Sequence, residues 1–338
     1  MGREQIENFA SSIFQAYVKS LPEIKYSRTR NRLLWEAKGI HISLDPHEEV
    51  CHFQEHLYDE EGNQVTMMGQ LKENRGRKVF RYCTAAIVFG DDHPRPPLTI
   101  GLVLMHKGQT KVEVLKRLLN QINKMEVKID LLSCDGEFYS KDVAECLDNL
   151  PQRKGPKRYL IRGSYSKKKD YPGRINGPGF PYEIHAGTKD AYRVEGYLVE
   201  QDTPQGKETR FFICSTYYRI HYSEIKQIYK RRFRIENIFR HTRNCKIISS
   251  SDNFARRFLL WTFSHFIELL WEIFRILHQD KSVDSRDDYY YRYDLRQKRF
   301  LRILLNHITF KIKSIAESKS RNNDQLKYDS KCSTSKDG

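Results

Sequence analysis

The order of predicted elements between residues 38 and 164 limits the fold of this 338-residue chain most strongly. Apolar runs, several of them alternating, predict strands at 40–44, 78–89, 98–106, 127–134 and 158–164. Apolar residues at helical spacing predict helices at 110–124, where Thr110 is a candidate N-cap, and at 139–150. Three strands followed by alternating helices and strands predict an α/β fold with a mixed sheet.

Two carboxylates follow predicted strands of this sheet. Asp45 comes directly after the first strand, and Asp135 comes directly after the buried fourth strand. A mixed sheet that holds acids at adjacent strand ends, with helices on its faces, is the plan of a ribonuclease-H-like core. Asp135 could also cap a turn, as aspartates often do. Asp91 and Asp92 are alternatives for the first acid, but they lie in a proline-rich turn.

A late helix is predicted over residues 229–243, and it carries a third acid. At about 100° per residue, a stripe roughly 80° wide presents five polar side chains, which are Tyr229, Arg232, Glu236, Arg240 and Arg243. Guanidinium groups bind phosphate oxygens, and a carboxylate can hold a divalent cation. The stripe therefore favours a metal-bound phosphodiester. An ordinary amphipathic helix with salt bridges between residues four apart explains the same pattern.

The excess of basic residues favours a nucleic-acid partner. Lys and Arg number 59 against 43 Asp and Glu, which gives a formal net charge of +16. Lys167, Lys168 and Lys169 stand beside Tyr165 in a loop rich in glycine and proline. This patch would suit contacts with a DNA backbone, and a merely solvated loop would have the same composition.

Membrane, zinc-ribbon and disulfide-scaffold classes are disfavoured by the sequence. The most apolar run, residues 258–277, contains Glu268, Glu272 and Arg275, so it predicts a buried helix and no membrane span. The seven cysteines are scattered and form no Cys-x-x-Cys pair. We therefore expect a protein of the reducing cytoplasm.

The acids and the arginine stripe together resemble a known family. The chain is similar to the DDE transposases of bacterial and archaeal insertion sequences, in the branch called the insertion sequence 4 family. That branch carries a Tyr-(2)-Arg-(3)-Glu-(6)-Lys signature, which Tyr229, Arg232 and Glu236 match in identity and spacing. The motif Asp-Gly-Glu-Phe-Tyr at 135–139 matches the second-aspartate motif of the family.

The chain departs from the family pattern at two places. The signature lysine position is occupied by Arg243, with Lys246 nearby. Arginine still binds phosphate, but as a planar fork rather than a point charge. Asp45 is followed by Pro46 and His47, where relatives have a small hydroxylated residue.

The resemblance implies a function, a cofactor and a set of site residues. Asp45, Asp135 and Glu236 would be catalytic and would hold two Mg²⁺ ions about 4 Å apart, with Mn²⁺ as a substitute. The enzyme would cut double-stranded DNA at insertion-sequence ends and transfer the 3′ hydroxyl to target DNA. A homodimer on DNA, close to the bacterial nucleoid, is expected. The predicted DNA contacts are Tyr229, Arg232, Arg240, Arg243, Lys246, Lys167, Lys168 and Lys169.

The predicted organisation has four parts. Residues 1–37 form a helical and basic segment, interpreted as a truncated DNA-binding region because relatives usually carry a longer one. Residues 38–280 form the catalytic domain, with a β-rich insertion at about 165–220 before the last catalytic helix. A linker and helix at 281–316 and a disordered tail at 317–338 follow. A decayed or domesticated DNA-binding protein and an RNase-H-like nuclease without strand transfer are the alternatives.

Overall fold

The computed structural model describes residues 2–20, 40–51, 55–89, 97–126, 128–150, 158–167, 169, 171–203, 206–217, 220–232, 234–244 and 253–277. Its helices are α1 (Arg3–Ser20), α2 (Lys111–Asn123), α3 (Lys141–Asp148), α4 (Tyr222–Arg232), α5 (Ile235–Asn244) and α6 (Phe254–Leu277). Its strands are β1 (Ile40–Val50), β2 (Thr66–Met68), β3 (Lys78–Ile87), β4 (Leu98–Leu104), β5 (Ile129–Cys134), β6 (Arg158–Gly163), β7 (Phe180–Ile184), β8 (Tyr192–Thr203) and β9 (Gly206–Cys214).

The described strands form one mixed sheet whose central order is β4–β3–β1–β5–β6. β1, β3 and β4 are antiparallel neighbours, whereas β5 and β6 run parallel to β1. The short strand β2 pairs with β3 next to β4. Three antiparallel strands followed by two parallel strands that are reached through helices form the ribonuclease-H-like plan. The predicted fold class, a mixed sheet flanked by helices, is confirmed.

The β-rich segment before α4 extends this same sheet. β7, β8 and β9 form an antiparallel meander, and β9 pairs with β6 from Ile161↔Ile213 to Gly163↔Phe211. The contact is tight at Gly163, because a Cβ atom there would lie 2.5 Å from the ring of Phe211. The insertion is therefore continuous with the central sheet through backbone hydrogen bonds.

The first strand is longer than predicted, which corrects the expectation that it ends at Asp45. β1 continues to Val50 and stays paired with β3 over its whole second half. Pro46 has no N–H to donate, so it is tolerated in a strand only where no partner strand needs that hydrogen bond. The carbonyl of Leu44 faces β5, where it accepts from the Asp135 N–H at 3.3 Å. The backbone of Pro46 points to the same side, where β5 has already ended.

Helices cover both faces of the sheet. α2 begins with a capping box in which Thr110 and Glu113 exchange hydrogen bonds, so the predicted N-cap is confirmed. Leu118 of α2 packs against the face that carries Gly101. Tyr229 of α4 belongs to a buried cluster with Leu131 on the opposite face. Leu131 is four residues before Asp135, so α4 covers the face to which that acid belongs.

The N-terminal helix packs on the core. Ile6, Ala10 and Phe14 of α1 are fully buried. Glu7 accepts a hydrogen bond from the backbone N–H of Leu104, the last residue of β4. The same carboxylate forms an ion pair with Arg117 of α2. These contacts attach α1 to the sheet that carries the acids.

Several sequence predictions lie outside the described residues. These are Asp91, Asp92, Lys168 and Lys246, the linker and helix at 281–316 and the tail at 317–338. None of the described helices combines the length and apolarity that crossing a bilayer requires.

A substitution at Gly163 tests the junction between β6 and β9. Gly163→Ala is expected to lower the free energy of unfolding by about 1–3 kcal/mol, because the added methyl group overlaps Phe211. Gly136→Ala is the matched control, since a Cβ there meets its nearest neighbour at 3.6 Å. Urea denaturation of both variants measures the difference. Equal stabilities would contradict the tight junction.

Candidate active site

Strand register places the two aspartates beside each other. β1 and β5 pair in parallel up to Leu44↔Cys134, so Asp45 and Asp135 are the residues that directly follow this last pair. Side chains two residues apart on a strand share a face. Ser43 and Ser133, which precede the aspartates by two, are hydrogen-bonded to each other at 2.6 Å between their Oγ atoms. The two acids therefore project from one face at one end of the parallel pair.

Arg232, the last residue of α4, bridges these two carboxylates. Its Nη1 donates to Asp45 Oδ1 at 2.5 Å. Its Nη2 lies 3.4 Å from Asp135 Oδ1. The Arg232 side chain is only 3% exposed, so the ion pair with Asp45 is largely shielded from water. A guanidinium group thus occupies the position between the two acids.

The electrostatics of Asp45 indicate that the site needs positive charge. Burial raises the pKa of Asp45 to about 7, and the charges of Asp135 and Glu236 act in the same direction. Arg232 opposes this shift through its charge and its hydrogen bond. The charge of Glu236 therefore affects the Asp45 carboxyl, although Glu236 itself is exposed.

The predicted single helix over 229–243 is wrong, because the structure breaks it into α4 and α5. Arg232 ends α4, and Ile235 begins α5. Between them, the Arg234 N–H bonds to the Arg231 carbonyl, and Arg234 Nη1 donates to the Phe89 carbonyl at 3.2 Å. The break is thus held to the segment that follows β3. The predicted continuous stripe is consequently split between two helices.

Glu236 lies in the first turn of α5, just after the break. Ile235 and Ile238 are fully buried on the other side of the helix, so Glu236 is left exposed. Arg240 and Arg243 follow on α5, with side chains that lie outside the described part of the structure. Where the side chains are described, no three His, Cys, Asp or Glu residues stand close enough together to hold a metal ion.

Tyr229 is buried among three arginines. The guanidinium carbons of Arg232, Arg210 and Arg162 lie 5.0, 5.3 and 6.0 Å from the centre of its ring. Arg162 also donates to the Tyr229 hydroxyl at 3.2 Å. Cation–π contacts of this kind hold guanidinium groups without neutralising them. The structure thus concentrates positive charge beside the aspartates, at a tyrosine that the family signature includes.

Salt bridges hold the turn that follows Asp135. Glu137 forms ion pairs with Arg81 of β3 and with Lys111 of α2, the latter at 2.8 Å. Burial raises the pKa of Glu137, but the hydrogen bonds and charges of Lys111 and Arg81 outweigh burial and lower it overall. Arg81 Nε is in turn 3.4 Å from Glu48. The motif at 135–139 is therefore fixed to two neighbouring elements.

The basic loop is partly described. Lys167 and Lys169 are exposed. Lys169 Nζ lies 4.4 Å from the ring centre of Tyr182 and 5.9 Å from that of Tyr171. Tyr165 stacks on Tyr171 with a centroid distance of 5.5 Å. The basic and aromatic residues of this loop thus form one cluster beside β7.

A family model for the transposase DDE domain matches residues 61–267, which is more than half of the chain. The chain belongs to this family. Asp135 and Glu236 lie inside the matched segment of the DDE domain, and Asp45 lies just before it. Members of the family generally use divalent metal ions. Two of the three candidate acids, Asp135 and Glu236, therefore belong to a transposase domain.

Further comparisons add little to this assignment. No curated protein sequence matches the chain. Among solved structures, the DDE domain is similar to the cryo-EM structure of a piggyBac transposase synaptic complex with hairpin DNA, at 12% sequence identity and a TM-score of 0.47. The alignment covers 80% of this chain and 54% of that one. The chain thus spans about half the length of that transposase.

Several residues of the site escaped sequence reasoning. Arg162 and Arg210 come from β6 and β9, and they meet only because the insertion joins the sheet. The pairing of Arg232 with Asp45 joins residues 187 positions apart. Each arginine lies two positions from a buried apolar residue of its strand, Leu160 for Arg162 and Phe212 for Arg210, but this pattern does not specify a partner.

Replacement of Arg232 tests its role as the countercharge of the aspartates. Arg232→Gln is expected to lower the free energy of unfolding by about 3–5 kcal/mol, because it leaves buried carboxylates without their partner. Lys207→Gln is the control, since Lys207 is exposed and pairs with Glu200 at 2.9 Å between neighbouring strands. Urea denaturation without divalent ions measures both. A loss at Arg232 no larger than that at Lys207 would contradict this role.

Proposed function

We propose that this chain is a DNA transposase of the insertion sequence 4 branch, which cuts at insertion-sequence ends and joins the released 3′ hydroxyl to target DNA. The observation that carries the proposal is the convergence of Asp45 and Asp135 on Arg232, within a transposase DDE domain. Glu236 supports it by its electrostatic effect on Asp45. The family signature at Tyr229, Arg232 and Glu236 favours this branch.

The three acids are proposed to hold two Mg²⁺ ions, with Mn²⁺ as a substitute. Carboxylate oxygens are the ligands that Mg²⁺ prefers. Burial and mutual repulsion make the carboxylates of Asp45 and Asp135 a favourable place for added positive charge. Arg232 now supplies that charge, so it has to move aside for the ions. Bound ions would activate the attacking hydroxyl and stabilise the leaving 3′ oxygen.

Arg232 and Tyr229 are proposed to hold the scissile phosphate. A guanidinium that leaves Asp45 and Asp135 can form two parallel hydrogen bonds with phosphate oxygens. While Arg232 is bonded to Asp45, its guanidinium carbon lies 5.0 Å from the centre of the Tyr229 ring, which would support the guanidinium beside the phosphate as well. One arginine would thus serve the acids before DNA binds and the phosphate afterwards. The other proposed DNA contacts are Arg240, Arg243, Lys246, Lys167, Lys168 and Lys169.

The proposed partner is double-stranded DNA, bound by a homodimer near the nucleoid. The net charge of +16 supports attraction to a phosphate backbone. Two transposon ends have to be brought together before they are joined to a target, and two copies of the chain provide two active sites for this.

A DNA-binding protein that no longer cuts is the second candidate. The position of Arg232 between the aspartates favours this candidate. In addition, no group of three possible metal ligands forms among the described residues. If Arg232 never leaves Asp45, the acids stay neutralised. The protein would then hold DNA through its basic residues alone.

Replacement of Glu236 separates these two functions. Glu236→Gln keeps the size of the side chain but removes a metal-binding charge, so it is expected to retain DNA binding and to lose at least about 10²-fold in Mg²⁺-dependent cleavage of an insertion-sequence end. Glu73→Gln is the control, because Glu73 is an exposed residue of the turn at 72–74. Normal cleavage by Glu236→Gln would refute its role, and no cleavage by the unaltered chain would favour the binding protein.

Strand joining distinguishes a transposase from a nuclease. A pre-cleaved end with a free 3′ hydroxyl is expected to be joined to a supercoiled plasmid by the unaltered chain with Mg²⁺. The products are counted by gel electrophoresis of labelled DNA. Cleavage without joining, under conditions in which Glu73→Gln also only cleaves, would show a nuclease instead.

A further inference from the structure

His47 lies between two aromatic rings from different helices. Its ring stacks on Phe239 of α5, with centroids 4.5 Å apart and planes inclined by 18°. It also stacks on Trp261 of α6, with centroids 5.2 Å apart and planes inclined by 7°. His47 is 9% exposed, and Phe239 and Trp261 are 6% and 3% exposed. Three rings from β1, α5 and α6 are therefore packed in nearly parallel planes.

The stack is anchored to the sheet by a second contact. Tyr82 of β3 stacks on Trp261 with a centroid distance of 5.3 Å, and on Phe258 at 5.7 Å. Tyr82 is also the strand partner of His47 in the β1–β3 register. Offset stacking of this kind is a preferred arrangement of aromatic rings. Trp261 thus packs against both Tyr82 of β3 and the His47 ring.

Each end of the His47–Phe239 contact is close in sequence to a proposed metal ligand. His47 follows Asp45 by two residues on β1, so both side chains share one face of the sheet. Phe239 follows Glu236 by three residues on α5, which is about one helical turn. The contact therefore joins the part of the strand that carries the first acid to the turn of the helix that carries the third.

Such a contact is needed because α5 does not continue α4. The helix is interrupted between Arg232 and Ile235, so α4 alone does not determine where Glu236 lies. Packing of α5 on the sheet has to determine it instead. Phe239 provides this packing next to Asp45, and its partner ring comes from the strand of Asp45 itself.

We infer that His47 is a positioning residue, whose ring sets the separation between the carboxylates of Asp45 and Glu236. The inference rests on the proposed function, because it assumes that these two acids hold the same ions. Ligands in a functional site have to be held within about 0.5 Å of their working geometry. A flat ring of fixed thickness between β1 and Phe239 meets that need. His47 acts through Asp45 and Glu236, and it touches neither metal nor DNA.

The test measures Mn²⁺ binding by the full chain, without DNA, from the electron paramagnetic resonance signal of free Mn²⁺. His47→Ala removes the ring and is expected to raise the dissociation constant for Mn²⁺ by about 10-fold or more, as loss of a residue that orients a metal ligand does. His47→Phe keeps a flat ring and is expected to stay within about threefold of the unaltered chain.

A matched control separates positioning from general loss of stability. Leu118→Ala removes a fully buried side chain from α2, which packs on the opposite face of the sheet. It should lower the melting temperature but leave the Mn²⁺ dissociation constant unchanged.

Phe239→Leu removes the other ring while keeping an apolar side chain, and it replaces His47→Ala if that variant does not fold. It is expected to weaken Mn²⁺ binding in the same way.

Each outcome bears on one proposal in particular. Unchanged Mn²⁺ binding by His47→Ala or Phe239→Leu overturns the positioning role, and so does equal weakening by Leu118→Ala. Failure of His47→Phe to restore binding shows that a polar contact of His47 matters and the ring does not. If the unaltered chain binds no Mn²⁺, or Asp45→Asn and Glu236→Gln bind it normally, the proposed metal site itself fails, and the inference fails with it.

Discussion

The burial of one carboxylate beside another, at the end of a pair of parallel strands, is the constraint on which this site depends. Asp45 and Asp135 stand side by side because β1 and β5 remain in register up to Leu44↔Cys134. Burial of Asp45 makes this arrangement costly, which is why the pKa of its carboxyl is raised. The arrangement is tolerated because Arg232 brings a guanidinium group to both acids. Stability and a site suited to added positive charge thus have the same physical origin.

The elements around the acids follow from the need to deliver that guanidinium. α4 lies on the sheet face that carries the aspartates, with its last residue over them. The ring of Tyr229, on the preceding turn of α4, contacts the guanidinium group of Arg232. The same ring also contacts the guanidinium groups of Arg162 and Arg210. The insertion contributes Arg210 because β9 pairs with β6. The helix is then interrupted before Ile235, so Glu236 lies in the first turn of a new helix.

Local patterns in the sequence were enough to predict the sheet, because the period of apolar residues distinguishes strands from helices. The same patterns placed Asp135 at the end of β5. They failed at β1, where Pro46 and a polar run concealed a strand that is held by its partner β3. They failed again at residues 229–243, where Arg234 stops a regular helical pattern by bonding to the distant Phe89 carbonyl. Both errors concern tertiary contacts, which periodicity does not record.

Sequence motifs single out Asp135, Glu236 and Arg232 as candidate site residues, and the end of a predicted strand singles out Asp45. Nothing local in the sequence shows that Arg232 pairs with the two aspartates. The stacking of His47 on Phe239 is equally invisible in the sequence, since 192 positions separate the two rings. Such pairs become visible only when the fold brings distant segments together.

The position of Mn²⁺ in a crystal of the full chain tests the central claim most directly. Anomalous scattering from crystals soaked in Mn²⁺ locates the ions without reference to activity. The account predicts density within bonding distance of the Asp45, Asp135 and Glu236 carboxylates, with the Arg232 guanidinium moved away from Asp45. Arg232 still bonded to Asp45, with no Mn²⁺ at the aspartates in a crystal that binds it elsewhere, would contradict it.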